Sequence, residues 1–148
     1  MDGIQIRSII RGILNAENIT KGELGRRFAA HLGLEPGPLG ADGGIDGVGW
    51  LDDRKIYFQS KLVSQPLDAS QADNLYANLV RHKANTAVVL AGVGYTKGFK
   101  SRLTEFYDIH RFKIHLLSLD DYFKETLAFQ NAKKDLPTLR NLAFEKWF

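Results

Sequence analysis

Residues 86–94 read TAVVLAGVG, a stretch with no charge and a single hydroxyl. It is far too short to cross a bilayer, which takes about 20 apolar residues. It shows no period-two alternation, so neither face of a strand built from it can meet water. Thr and Val favour the extended chain. A short continuous apolar run of this kind marks a parallel strand covered by helices on both faces. The rest of the chain has to supply those covering layers, and that restricts the architecture to α/β.

The flanking segments can do so. Ile4, Ile6, Ile9, Ile10, Ile13 and Leu14 recur mostly at helical spacing, which predicts an amphipathic helix over 4–14. Thr20 followed three residues later by Glu23 reads as a capping box opening a second helix. Leu24, Phe28 and Leu32 form its buried stripe, and Gly33 ends it. LEPGPLGADGG, residues 34–44, holds two prolines and four glycines and reads as loop. Two strands follow, at about 45–51 and 55–63, with DDR as a tight turn between them. Beyond them come a helix at 71–84, the apolar strand, a helix at 96–110 and a strand at 112–119. One helix over 120–134 starts with aspartates at its positive end. A last helix over 138–148 follows the break at Pro137. The order ααββαβαβαα fits a single domain over 1–148, with helices 124–148 closing it. A chain of 148 residues is long enough for one real core.

Composition narrows the setting. There is no cysteine, which excludes disulfides and thiolate zinc sites and fits a cytoplasmic location. MDGIQIRSIIRG lacks the basic lead and long apolar segment of a secretory signal, and no run is long enough for a membrane span. Twenty basic against 17 acidic residues give +3, a balance that permits a polyanionic partner without demanding one.

The chemistry concentrates in GGIDGVGWLDDRKIYFQSKL, residues 43–62. If the hairpin turn centres between Asp52 and Asp53, Leu51 pairs with Arg54 and Asp46 with Gln59. Opposed residues share a face, with Cβ atoms roughly 5 Å apart. Lys61 is two residues beyond Gln59 and points the same way. Asp46, Gln59 and Lys61 are therefore expected to converge at the end of the hairpin away from its turn. Leu51, Ile56, Phe58 and Leu62 would form the core face. Glycines 43, 44, 47 and 49 would leave open space around Asp46. Asp46 and the Gln59 amide oxygen are hard donors suited to Mg²⁺ or Mn²⁺, and the Ser60 carbonyl is a further possible ligand. A metal there could hold a water and polarise a phosphodiester. Lys61 could help that water lose a proton or offset charge on the pentavalent intermediate.

An Asp in DGGIDG at 42–47 and QSK at the end of the apolar IYFQSKL at 56–62 resemble the PD-(D/E)xK nuclease superfamily. They resemble most the Mrr-like restriction endonuclease group, in the variant with Gln at the second acidic position. VVLAGVGYTKGFKSRL at 88–103 and IHLLSLDDYF at 114–123 are similar to the segments that follow in that group, so the resemblance covers roughly 20–123. It implies a restriction-endonuclease-like mixed central sheet flanked by helices on both faces. It also implies a Mg²⁺-dependent deoxyribonuclease of restriction, phage defence or repair, with Asp46 and Gln59 at the metal and Lys61 assisting the nucleophile. The group tends to carry a Glu on the helix before the motif, for which Glu23 is the candidate. The Gln and the glycine-rich first strand depart from the commoner pattern. Gln in place of a carboxylate implies modest Mg²⁺ affinity.

Other readings stand beside this one. Asp46 could be a turn residue among glycines, and Gln59 and Lys61 could be solvated. The fold could serve a non-catalytic DNA-binding or assembly subunit, or a nuclease acting on RNA. His31, His82, His110 and His115 form no ligand pattern. Arg26, Arg27, Arg81, Lys83, Lys97, Lys100 and Arg102 could make a phosphate-contacting rim. Leu142 and Trp147 on the last helix could centre a homodimer contact or an interface in a larger restriction or defence complex.

Overall fold

The fold is taken from a computed structural model that describes residues 1–37 and 45–140. Helix α1 (Gly3–Leu14) opens on a full capping box. The Asp2 carboxylate accepts the Gln5 N–H at 2.8 Å, and the Gln5 side chain returns a bond to the Asp2 N–H at 2.9 Å. Helix α2 (Asn18–His31) starts earlier than Thr20 predicts. Its N-cap is Glu17, which makes no side-chain cap bond. Thr20 and Glu23 both lie inside the helix, so the expected capping box does not form. Gly33, at φ +81°, terminates it as expected.

Strand β1 (Glu35–Pro36) lies in the segment expected to be all loop and pairs with β2 (Gly47–Leu51). Strand β3 (Arg54–Lys61) follows a two-residue turn. Asp52 and Asp53 there both have positive φ, +50° and +64°. That is the signature of a type I′ turn, whose twist matches the strands it joins. Asp68 caps α3 (Ala69–Arg81) and Thr96 caps α4 (Lys97–Thr104), on either side of β4 (Thr86–Ala91). Helix α4 stops well short of residue 110. The chain instead makes a 3-10 turn at Ile109–Arg111 before β5 (Lys113–Ser118).

The single helix expected at 120–134 is two, α5 (Leu119–Lys124) and α6 (Leu127–Lys133), broken at Glu125 with φ +51°. Asp121 explains the break. Its carboxylate accepts the Ser118 N–H at 2.9 Å and the Thr126 hydroxyl at 2.6 Å, tying the chain before the break to the chain after it. Thr138, Leu139 and Arg140 are not helical. The rest of the expected last helix, with Leu142 and Trp147, lies outside the described residues.

The sheet runs β1-β2-β3-β4-β5, antiparallel through β3 and parallel from β3 to β5. The fold is thus α/β with a mixed sheet between helices, as expected. Every residue of β4 is buried, which is what its unbroken apolar sequence required. Ile56, Phe58, Leu62, Val88 and Leu90 pack with α1, α2, α5 and α6 on one face. Tyr57, Ala87, Val89 and Ala91 pack with α3 and α4 on the other. Each fully buried Leu or Phe contributes about 1.5–3 kcal/mol to that arrangement. No described helix is long and apolar enough to cross a membrane.

A candidate hydrolytic site at the end of the hairpin

The β2–β3 ladder keeps the expected register, from Leu51 opposite Arg54 to Gly47 opposite Phe58. Asp46 then steps out of it. Its N–H donates to the Phe58 carbonyl at 2.9 Å, one residue short of the expected Gln59. A slip of one residue sends a side chain to the other face. The Asp46 carboxylate accordingly meets Ser60. Oδ2 accepts the Ser60 N–H at 2.7 Å and the Ser60 hydroxyl at 3.2 Å. The pair lies against the backbone of α2 at Gly25. A Cβ there would stand 2.5 Å from Ser60 Oγ and 3.3 Å from Asp46 Oδ1. Only glycine lets the helix lie so close.

A second tie fixes the Asp46 backbone. Its carbonyl accepts the Gly37 N–H at 2.7 Å, and the Gly37 carbonyl accepts Arg26 Nε at 2.7 Å. Arg26 is therefore a positioning residue rather than part of an open rim. Nothing in the sequence pairs residue 26 with residue 37. Burial pushes the Asp46 carboxyl above its ordinary range, and the Ser60 bonds pull part of the way back.

Gln59 is not the cross-strand partner of Asp46 that the simple register predicts. Its amide oxygen accepts the Tyr57 hydroxyl at 3.1 Å, and that hydroxyl accepts an N–H of Asn78 on α3 at 3.1 Å. Burial pushes the Tyr57 phenol up, and the nearby charge of Asp46 adds to it. Lys61, the last residue of β3, is exposed, and its ammonium has no partner among the described residues. Its carbonyl accepts the N–H groups of Val63 and Gly92, each at 3.0 Å. Neighbouring residues of a strand turn their backbone groups to opposite sides. The Ser60 carbonyl therefore points with its own N–H, toward Asp46.

The space expected beside Gly47 and Gly49 is filled. Cβ atoms there would lie 2.6 Å from Ala29 and 2.5 Å from Leu34. Asp42, Gly43 and Gly44 are outside the described residues. Glu23 is exposed, on a shallow pocket with Arg26, Arg27 and Pro36. Two residues from Gly25, it points about 200° around the helix from the face that meets Asp46. The structure does not bring it to the other candidates.

Of the basic residues expected at a rim, Arg81 bonds Asn78 and Arg102 pairs with Asp73 and Glu105. Arg27, Lys83, Lys97 and Lys100 are exposed without a side-chain partner among the described residues. His31 bonds Tyr122 and His115 bonds Asp135.

Gln59, bonded to Tyr57, and Lys61 alternate to the face opposite Ser60, so the expected convergence of Asp46, Gln59 and Lys61 does not form. The donor set beside Asp46 is all oxygen, one carboxylate and the Ser60 carbonyl. It suits a hard divalent cation, held weakly by a single formal charge. Among the described residues no cluster of three or more His, Cys, Asp or Glu could hold a metal ion. No protein-family model matches the chain, and no curated protein or solved structure matches it.

Proposed function

We propose that the chain is a metal-dependent nuclease that hydrolyses DNA phosphodiester bonds at the end of β3, as its resemblance to the Mrr-like PD-(D/E)xK group implies. The observation that carries this reading is the Asp46 carboxylate, half-buried and raised in pKa, beside a strand end that presents Gln59, Ser60 and exposed Lys61 in a row. A carboxylate so placed is a functional-site candidate on physical grounds. Asp46 and the Ser60 carbonyl would hold Mg²⁺ or Mn²⁺, and Gln59 would have to leave Tyr57 and turn from the opposite face to join them. The cation would supply Lewis acidity toward the phosphate and a water more easily deprotonated. Ser60 holds the Asp46 carboxylate in place. Lys61 offers an ammonium to the phosphate oxygens or the attacking water. Gly37 and Arg26 keep Asp46 from drifting.

Incubation of the purified protein with supercoiled plasmid and Mg²⁺ or Mn²⁺ is the test. Nicked circles should form first, because one site attacks one strand. Linear DNA should follow by repeated nicking or by two copies acting together. Asp46→Asn and Lys61→Ala should each lower the rate by at least about 100-fold. Gln59→Glu should tighten Mn²⁺ binding in calorimetry, since it adds a second negative ligand. No cleavage and no heat of metal binding would instead favour a non-catalytic DNA-binding or assembly subunit. The Tyr57–Gln59 bond is the observation on that side, because it holds one ligand away from Asp46.

A further inference from the structure

A cleft of about 520 Å³ opens where the three parallel strands end. Ser64 lies just past β3, Gly92 just past β4, and Ser118 is the last residue of β5. Helix α1 forms the facing wall with Arg7 and Arg11. These arginines are four residues apart and share one helical face, where like charges repel by a few tenths of a kcal/mol. Both are exposed, and neither guanidinium has a hydrogen bond or ion pair among the described residues. The acidic residue of the cleft, Asp120, is held by Lys124 at 2.9 Å. The Asn15 and Ser64 side chains add neutral donors that also have no partner among the described residues.

The cleft adjoins the candidate site through the backbone, because the Gly92 N–H donates to the Lys61 carbonyl. Strands lie about 4.8 Å apart, so the floor over β4 and β5 is roughly 5–10 Å from the end of β3. That is the scale of one or two nucleotide steps along a strand.

We propose that this cleft holds the sugar-phosphate backbone of a nucleic acid strand, one or two nucleotides from the phosphate at Lys61, with Arg7 and Arg11 as the phosphate ligands. The guanidinium fork matches phosphate oxygens in pairs. The inference rests on the nuclease reading insofar as it says how that site's substrate is held. A polymer can occupy the cleft and Lys61 together, which a free phosphate cannot.

Fluorescence anisotropy of a labelled single strand, in EDTA and across a salt series, tests it. The Arg7→Ala/Arg11→Ala pair should bind about tenfold more weakly or worse. Its salt slope should fall by about 1.4, from two lost contacts at about 0.7 each. Arg7→Lys/Arg11→Lys should keep most of the slope, and an unchanged circular-dichroism melt shows that each variant is folded. Unaltered affinity and slope in the alanine pair would overturn the cleft, while plasmid cleavage by the wild type would leave the nuclease reading standing. Arginine-dependent binding without any cleavage would do the reverse. A wild type that binds inorganic phosphate through these arginines but retains no strand assigns the cleft to a free anion and overturns the proposal. So does a wild type that binds neither.

Discussion

Asp46 holds the site's one carboxylate at a cost to stability. Its raised pKa means that the folded chain binds a proton there more tightly than the unfolded chain does. Between the ordinary and the raised value the folded state carries more protons, so stability falls as pH rises through that window. Asp46→Asn removes this cost and keeps an oxygen to accept the Ser60 bonds. At pH 7 without metal its urea midpoint should lie above that of the wild type. The gap should close as pH drops through the Asp46 pKa, where the wild-type carboxyl is protonated as well. Added Mn²⁺ should raise the wild-type midpoint and leave Asp46→Asn unmoved. Gly25 is the neighbouring control. Gly25→Ala should lose the Ser60 hydroxyl bond at a cost of about 1 kcal/mol, enough to cancel the roughly 1 kcal/mol that alanine gains over glycine in helix propensity. In a Ser60→Gly background that cost should largely vanish, a coupling that a double-mutant cycle measures.

At the level of elements, the hairpin was readable and the slip at its far end was not. Two aspartates between alternating apolar residues fix a two-residue turn, and the turn fixes every pair from Leu51–Arg54 to Gly47–Phe58. The apolar run at 86–91 likewise dictated a buried central strand. Asp46 leaves register because Gly37 and Arg26 pull its backbone and Ser60 captures its carboxylate. Those contacts come from other elements and have no local sequence signal. The same holds for the Asp121 bonds that break the helix at Glu125 and for β1, too short to show a period. Glu23 was misplaced for a different reason: a capping pattern inside a helix looks like one at its start. The turn itself is testable. Asp53 sits at φ +64°, where a β-branched side chain is strained. Asp53→Val should lose about 1–2 kcal/mol in denaturant unfolding, and Asp53→Gly should lose nothing.

Across the whole molecule, β3 belongs to two kinds of sheet at once. On one side it pairs with β2 through a two-residue turn. On the other it pairs with β4 only after the chain has travelled through α3, and β5 joins after α4. That asymmetry sets a clock. Hairpins close in about 1–10 μs, whereas pairings distant along the chain wait for large loops to be ordered. The ladder that carries Ser60 toward Asp46 should therefore form while β4 and β5 are still unpaired. Pulsed hydrogen exchange during refolding should protect the β2–β3 amides before those of the parallel strands, with simultaneous protection the result that would contradict it. The floor of the arginine cleft, which needs the ends of β4 and β5, comes late. A ribosome-bound fragment ending after β3 would already hold the hairpin and have nowhere to lay a strand, so under the cleft proposal the emerging chain would gain its grip on a polyanion only when the last parallel strand docks.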